Sequence, residues 1–429
     1  MNCYFLTFGC KVNTCETASM QTMLRSAGHC IVTTPEEADV CILNSCTVTE
    51  SGDNRTRAAL RKLRRSYPDM LLVLTGCYAQ AYPEQAESIP EADLVLGTKG
   101  RSRLPELLET WQQTHTPCGA VDAYTGHDTF EALPCDIMPD NTRAFLKIQD
   151  GCNCFCSYCI IPYARGPVRS LPKAEAVAQT EHLRQEGDRE LVFTGIEISS
   201  WGRDLKNGES LIDLLEAVSA AAGDMRLRLG SLEPRTITED FCRRAAATGQ
   251  VCRHFHLSLQ SGCDRTLARM NRKYNTAEFL ACVERLRRYF PGCALTADMI
   301  TGFPGETEAD QAAAVAFLEQ VGFAAVPVFP YSRRPGTRAD AMPAPLSHAV
   351  KSARAHEAQR VSDACKQRYL AQQVGRILPV LFETEHDGNW VGHSDNYCLV
   401  RVAGDDLRGV VKNVKISAVS DQMLVGDLV

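Results

Sequence analysis

The 429-residue chain has no run approaching eighteen apolar residues, which excludes a membrane-spanning helix. Its first ten residues, MNCYFLTFGC, lack a basic region, a long apolar stretch and a cleavage site. They read as a first strand and not as a signal peptide, and a cytoplasmic location is expected. Nor is there an excess of positive charge: the net charge is −6 at pH 7. A nucleic-acid partner must then be met by local basic patches, not by the field of the whole molecule. Cysteine, by contrast, is abundant, with twenty in the chain. In a reducing compartment these do not form a disulfide framework. Some are expected to be metal ligands and the rest small buried hydrophobes. The length allows two or three domains, and 45% hydrophobic with 23% charged residues is a globular composition.

The most informative stretch runs from Phe145 to Pro167, FLKIQDGCNCFCSYCIIPYARGP. A strand-like run ends in Asp150-Gly151, and Cys152, Cys156 and Cys159 follow at the spacing C-x3-C-x2-C. A 4Fe-4S cubane has four irons and is normally held by four thiolates. Three thiolates leave one iron open, which is what a site that acts on a substrate needs. The alternative is a zinc knuckle or buried thiols, although zinc sites usually pair C-x2-C units and add a fourth ligand. Cys154 is a bystander in this reading. The spacing, with Tyr158 directly before the last cysteine, resembles the signature of radical S-adenosylmethionine (SAM) enzymes.

Residues 1 to about 110 alternate strand-like runs (Tyr4–Phe8, Val40–Leu43, Leu71–Leu74, Leu94–Leu96) with helical patterns near 14–27, 50–66, 83–88 and 101–113. This predicts a parallel sheet with helices on its faces and functional groups outside the carboxyl ends of the strands. Cys10, Cys46 and Cys77 each stand at such a strand exit. The helix N-termini that follow are expected to lower the thiol pKa values. Three thiols again suggest a cluster with one open iron; three unrelated buried cysteines are the plainer reading.

TFGCKVN, NSCTVTE, TGCYAQ and LKIQDGCNCFCSYCIIPYARGPVRS together resemble the radical-SAM methylthiotransferase family over essentially the whole chain. GCKVN, TGCYAQ, LGTKGR and FLKIQDGC are most similar to its MtaB-type branch, which modifies N6-threonylcarbamoyladenosine in tRNA. The resemblance implies an α/β chain in parts: a Rossmann-like cluster domain at 1–114, a linker at 115–140, an open (β/α)6 radical-SAM barrel at 141–370 and a small β-barrel (TRAM) at 371–429. It implies two 4Fe-4S clusters, one on Cys10, Cys46 and Cys77 and one on Cys152, Cys156 and Cys159, with SAM bound at the second. The implied reaction puts a methylthio group on C2 of the adenine next to the anticodon. Implied partners are the tRNA anticodon loop and an electron donor such as flavodoxin or ferredoxin; a monomer is expected. Two other substrates stay open, isopentenyladenosine in tRNA and a ribosomal-protein aspartate, as does a non-catalytic RNA-binding metalloprotein.

The second half fits this scheme. Strand-like runs at Ala144–Ile148, Glu190–Thr194, Arg226–Gly230, His254–Leu259, Ala294–Ile300 and Ala324–Phe329 alternate with helical patterns near 173–186, 210–222, 276–290 and 306–321. Barrels of this kind carry their sites at the carboxyl ends of the strands. There stand Thr194, Gly195 and Glu197, where the carboxylate suits the α-ammonium of SAM, although the family often has another polar residue at Glu197. Ser231 and Glu233 follow the third strand, and Glu233 suits the ribose hydroxyls, as an acidic residue does in dinucleotide sites. Gln260 follows the fourth strand.

Two regions are basic and a third is not. Arg55, Arg57, Arg61, Lys62, Arg64 and Arg65 share one helix, either as a solvated face or as phosphate contacts. The loop SRRPGTR departs from the family pattern at Arg333 and Arg338, where Pro is common, and is a candidate RNA contact. After a linking helix near 346–372, the C-terminal part has five basic against eight acidic residues. Arg376, Lys412 and Lys415, aided by Tyr397 or Trp390, would have to make a local patch there.

Overall fold

Runs such as VCILNS and LLVLTG are apolar over their first four positions and buried at all six, which suits a strand covered on both faces. The computed structural model, which describes residues 1–134 and 142–429, shows how. Val40–Ser45 and Leu71–Gly76 pair in parallel at the centre of a six-stranded sheet. Cys41, Leu43, Leu72 and Leu74 pack on one face with Leu60 and Leu63. Val40, Ile42, Leu71 and Val73 pack on the other with Met20, Leu24, Leu104 and Leu108. Asn2–Thr7 lies on one side of this pair and Leu94–Leu96 on the other. The outermost strands are short, Cys30–Ile31 and Cys118–Ala120. The second of these belongs to the stretch that the sequence assigns to a linker; Pro139 and its neighbours at 135–141 lie outside the described residues.

The basic helix, Glu50–Ser66, starts where Thr49 Oγ1 accepts from the Gly52 N–H at 3.2 Å. Its acidic first turn and basic last turn complement the helix dipole.

Six parallel strands form the central barrel in chain order: Ala144–Asp150, Glu190–Gly195, a strand broken at Gly230 into Arg226–Leu229 and Ser231–Leu232, His254–Gln260, Ala294–Thr301 and Val328–Pro330. Helices Lys173–Gln185, Leu211–Ala222, Thr276–Tyr289 and Glu308–Val321 cover the outside. Three of these connections begin with a reciprocal capping box, at Ser210, Asn275 and Thr307. Phe193, Phe255, Leu257, Leu259, Phe279 and Leu295 lie in the core between strands and helices. Alternate residues of the same strands, His256, Ser258, Gln260, Thr296 and Asp298, are only partly buried and face the lumen.

The helix His348–Ala371 leads to a closed five-stranded barrel made of Ile377–His386, Asn389–Ser394, Leu399–Ala403, Val411–Ser420 and Met423–Leu428. Leu378, Val380, Phe382, Val400, Val414 and Ile416 fill it. It is seated on the amino-terminal rim of the large barrel. Arg226 donates to the carbonyls of Pro379 and His393, at 3.2 and 2.8 Å. Arg228 donates to those of Ser394 and Asp395, at 3.2 and 3.1 Å, and Arg253 pairs with Asp395 at 2.6 Å. No helix of the described residues is long and apolar enough to cross a membrane.

Candidate iron-sulfur and SAM site

Asn2–Thr7, Val40–Ser45 and Leu71–Gly76 are neighbours in one parallel sheet, so their carboxyl ends deliver Cys10, Cys46 and Cys77 to one edge. Cys10 caps the helix Lys11–Ser26, and Cys77 opens the short helix Cys77–Ala81. The sulfurs of Cys10 and Cys77 each lie 3.9 Å from Asn13 Oδ1, so they are no farther apart than twice that distance. Gly9 has φ +119°, and a Cβ there would meet Cys46 Cβ at 3.0 Å and Cys46 Sγ at 3.3 Å. A side chain at this position would wedge the Cys10 and Cys46 loops apart. Cys10 is exposed, Cys46 half-buried and Cys77 buried.

The expected lowering of thiol pKa is corrected here. Burial outweighs the helix ends, so Cys46 is raised and Cys77 is pushed up to about 11. Binding a metal therefore displaces protons from these thiols.

The second triad sits on the loop between the strand Ala144–Asp150 and the helix Ile161–Arg165. Gly151 has φ +74°, and a Cβ there would lie 1.8 Å from the Pro167 carbonyl, so only glycine fits. The Cys152 N–H reaches the Gly166 carbonyl at 3.0 Å, and the Ser157 N–H reaches that of Met270 at 3.0 Å. Ser157 Oγ donates to the Arg269 carbonyl at 2.8 Å, and Asn271 Nδ2 to that of Phe155 at 2.9 Å. Arg272 donates to Cys156 Sγ at 3.1 Å and to the Ser258 carbonyl at 3.1 Å. Burial pushes Cys159 up to about 12. The Cys154 N–H lies 3.4 Å from Cys152 Sγ.

Several of the expected SAM contacts converge beside this loop. Both carboxylate oxygens of Glu197 are buried without a hydrogen-bond partner. Burial, then the neighbouring Cys154 and Glu233, raise its pKa to about 7. Glu233 is buried and accepts from Arg235 Nε at 3.0 Å. Ser231 Oγ is 2.9 Å from Ser258 Oγ across two adjacent strands. Gln260 ends its strand at φ +65°, a sparsely populated conformation for this residue type. Tyr158 packs with Met270, Phe303 and Tyr331. Thr194 is buried within its strand, and Gly195 is pressed against Gln149, whose carbonyl would be 2.9 Å from an added Cβ.

These residues fit clusters and SAM. The donors are soft thiols, each triad has a guanidinium donating to one sulfur, and an unpaired buried carboxylate waits for a cation. Among the described residues, no three His, Cys, Asp or Glu side chains converge on a point for a single metal ion.

Residues missing from the sequence reading join the domains. Arg165, fully buried, donates Nε–H to Cys77 Sγ at 3.2 Å and pairs with Glu16 at 2.5 Å. Arg334 is buried, unlike its exposed neighbours Arg333 and Arg338. It pairs with Asp53 at 2.5 Å and donates to Thr47 Oγ1 at 2.8 Å, just after Cys46. Of the basic helix, Arg64 is tied to Asp93 at 2.5 Å and Arg57 to Asn54 and Tyr78. Arg61, Lys62 and Arg65 remain exposed. Tyr397 is not part of a basic patch with Lys412 and Lys415. It is stacked between His254 and His393, 4.6 Å from each, with the Lys11 ammonium 5.6 Å from its ring centroid.

The open six-stranded barrel, with a three-thiol loop after its first strand, defines a radical-SAM enzyme. Residues 146–318 match the radical SAM superfamily model, and residues 2–97 match the model described as uncharacterized protein family UPF0004. The chain is 36% identical over 418 residues to the threonylcarbamoyladenosine tRNA methylthiotransferase MtaB of Bacillus subtilis, covering 96% of this chain and 93% of that one. It is 34% identical over 436 residues to a tRNA-2-methylthio-N(6)-dimethylallyladenosine synthase of Moorella thermoacetica, covering 99% and 97%. Its fold is similar to that of the radical SAM methyltransferase TsrM of Kitasatospora setae (TM-score 0.59, 17% identity, 79% of this chain and 77% of that one). The chain belongs to the radical-SAM tRNA methylthiotransferase family. It is thus an enzyme that transfers a sulfur-containing group to tRNA, with 4Fe-4S clusters and SAM as cofactors.

Proposed function

We propose that the chain methylthiolates C2 of N6-threonylcarbamoyladenosine at position 37 of tRNA. What carries this choice of base is the polar lumen wall formed by His256, Ser258, Gln260, Thr296 and Asp298. A threonylcarbamoyl group brings a carboxylate, a hydroxyl and a carbonyl, and finds partners on such a wall. A dimethylallyl group has no polar atom to offer such a wall. Lys11, beside Cys10, holds its ammonium 5.6 Å from the ring centroid of Tyr397, which stacks on His254 at the start of the fourth strand. The 36% identity to an MtaB enzyme supports the same reading.

In this reading Cys152, Cys156 and Cys159 hold the SAM cluster, and Cys10, Cys46 and Cys77 hold the sulfur-donating one. When bound, these groups supply the 5′-deoxyadenosyl radical that removes hydrogen from C2 and the methylated sulfur that replaces it. The protein's own work is positional. Glu197 pairs with the α-ammonium of SAM, and losing its proton to do so is easy near neutral pH. Glu233 takes the ribose hydroxyls, and Tyr158, Thr194, Gly195, Ser231 and Gln260 line the remainder. Arg272 fixes the Cys156 sulfur against the fourth strand. A flavodoxin or ferredoxin, a monomeric state and action in the cytoplasm complete the proposal.

Mass spectrometry of tRNA nucleosides from a deletion strain tests the substrate. The 2-methylthio form of threonylcarbamoyladenosine should vanish and return on complementation. Loss of the 2-methylthio dimethylallyl nucleoside instead would reverse the assignment. Anaerobic reconstitution should give about eight irons per chain, and about four in Cys10→Ala.

A further inference from the structure

Arg165 ends the short helix that starts two residues after Cys159, yet its guanidinium lies in the amino-terminal domain. Nε donates to Cys77 Sγ at 3.2 Å, Nη2 to Asn13 Oδ1 at 2.7 Å and to Glu16 Oε2 at 3.0 Å, and Nη1 to Glu16 Oε1 at 2.5 Å. Asn13 in turn donates to the carbonyls of Phe8 and Ser45, at 2.9 and 2.8 Å, next to the Cys10 and Cys46 loops. One side chain from the SAM loop thus reaches a sulfur of the other triad and the asparagine that braces its two remaining loops.

The charges around it do not balance. Glu16 and Asp150 are two carboxylates; Arg101, Lys147, Arg165 and Arg169 are four cations bonded to them, all buried or nearly so. A buried cation without an anion is costly. The surplus is directed at Cys77, where a protonated thiol is only a weak acceptor, whereas a thiolate on a cluster carries the missing negative charge.

Resting on the two-cluster reading above, we propose that Arg165 is a positioning residue for the sulfur-donor site. It supplies that site's counter-charge and raises its reduction potential, and so makes the site complete only when the SAM loop is docked. Hydrogen bonds to sulfur and local net charge are among the factors that set cluster potentials.

The test uses the full chain with Cys152, Cys156 and Cys159 changed to Ala, reconstituted anaerobically so that only the amino-terminal site can load, and titrated potentiometrically with electron paramagnetic resonance detection. Arg165→Gln should move the midpoint to more negative potential, and Arg165→Lys should move it less far in the same direction. Arg101→Gln is the control, because Arg101 shares the network through Glu16 at 3.0 Å and the Thr98 carbonyl at 2.9 Å. It should move the midpoint clearly less than Arg165→Gln does, because it donates to no sulfur. An unmoved midpoint in the Arg165 variants, or an equal shift in Arg101→Gln, overturns the proposal. If Arg165→Gln fails to fold, Arg165→Lys decides by the same criterion. A parent that binds no iron overturns the two-cluster reading together with this one; a parent with about four irons and an unmoved midpoint in the Arg165 variants overturns this one alone.

Discussion

Glu197 offers a test in which one substitution should act in opposite directions on stability and on binding. Its two oxygens are buried without partners, and its pKa is raised from 4.5 to about 7, first by burial and then by Cys154 and Glu233. Between those two values the folded chain keeps a proton that the unfolded chain has released. Stability therefore falls as pH rises through this window and is lowest above it. A shift of this size corresponds to at most about 3 kcal/mol above pH 7. Glu197→Gln keeps the shape and removes the titration. It should raise the unfolding free energy of the metal-free, reduced chain by up to about 3 kcal/mol at pH 8, and by less than about 1 kcal/mol at pH 5. Urea unfolding followed by fluorescence is suited to this, because Trp201 is buried in the barrel core. The same substitution should weaken SAM binding roughly ten- to a hundredfold, the worth of one charged hydrogen bond, as read by calorimetry. A variant less stable than wild type at pH 8, or with equal gains at both pH values, would refute burial as the origin of the shift.

Other substitutions probe the remaining contacts. Gly151→Ala puts a Cβ into the Pro167 carbonyl; the chain should then reconstitute with about four irons per chain, the amino-terminal site staying loaded. Arg334→Met leaves Asp53 buried and unpaired, and should lower stability by about 3–5 kcal/mol; adding Asp53→Asn should recover most of the loss in the same denaturation assay. Changing Arg61, Lys62 and Arg65 together to Ala should weaken tRNA binding similarly for different tRNAs and reduce its salt dependence, measured by filter binding at several salt concentrations. Unchanged affinity and salt slope would mark that face as merely solvated.

What was legible in the sequence was what depends on local pattern. The thiol loop shows in its spacing, and most strands show as short apolar runs between helical patterns. Cys30–Ile31 is too short to make a pattern, and Cys118–Ala120 reads CGA, without the branched apolar residues that mark the equally short Leu94–Leu96. The last barrel strand was expected at 324–329 but is Val328–Pro330. The preceding Ala325 makes only an isolated bridge to Thr296, and Pro327, which follows it, has no N–H to donate to a ladder. Charge runs misled for a different reason. Arg64 and Arg61 look alike in sequence, yet one is tethered and the other exposed, because their partners come from distant loops. Arg333 and Arg334 diverge in the same way. Arg165 stood inside the quoted thiol motif, but nothing in its own segment indicates that it reaches into another domain.

The seating of the small barrel fixes its place on the large one. Arg226, Arg228 and Arg253 grip its 379–395 backbone and Asp395 from the rim of the large one. It is therefore no tethered module free to search. An RNA stem gripped by it would meet the catalytic mouth at one set reach, like work clamped in a jig. Substrates would then be sorted by the distance from grip to target base as well as by the base itself.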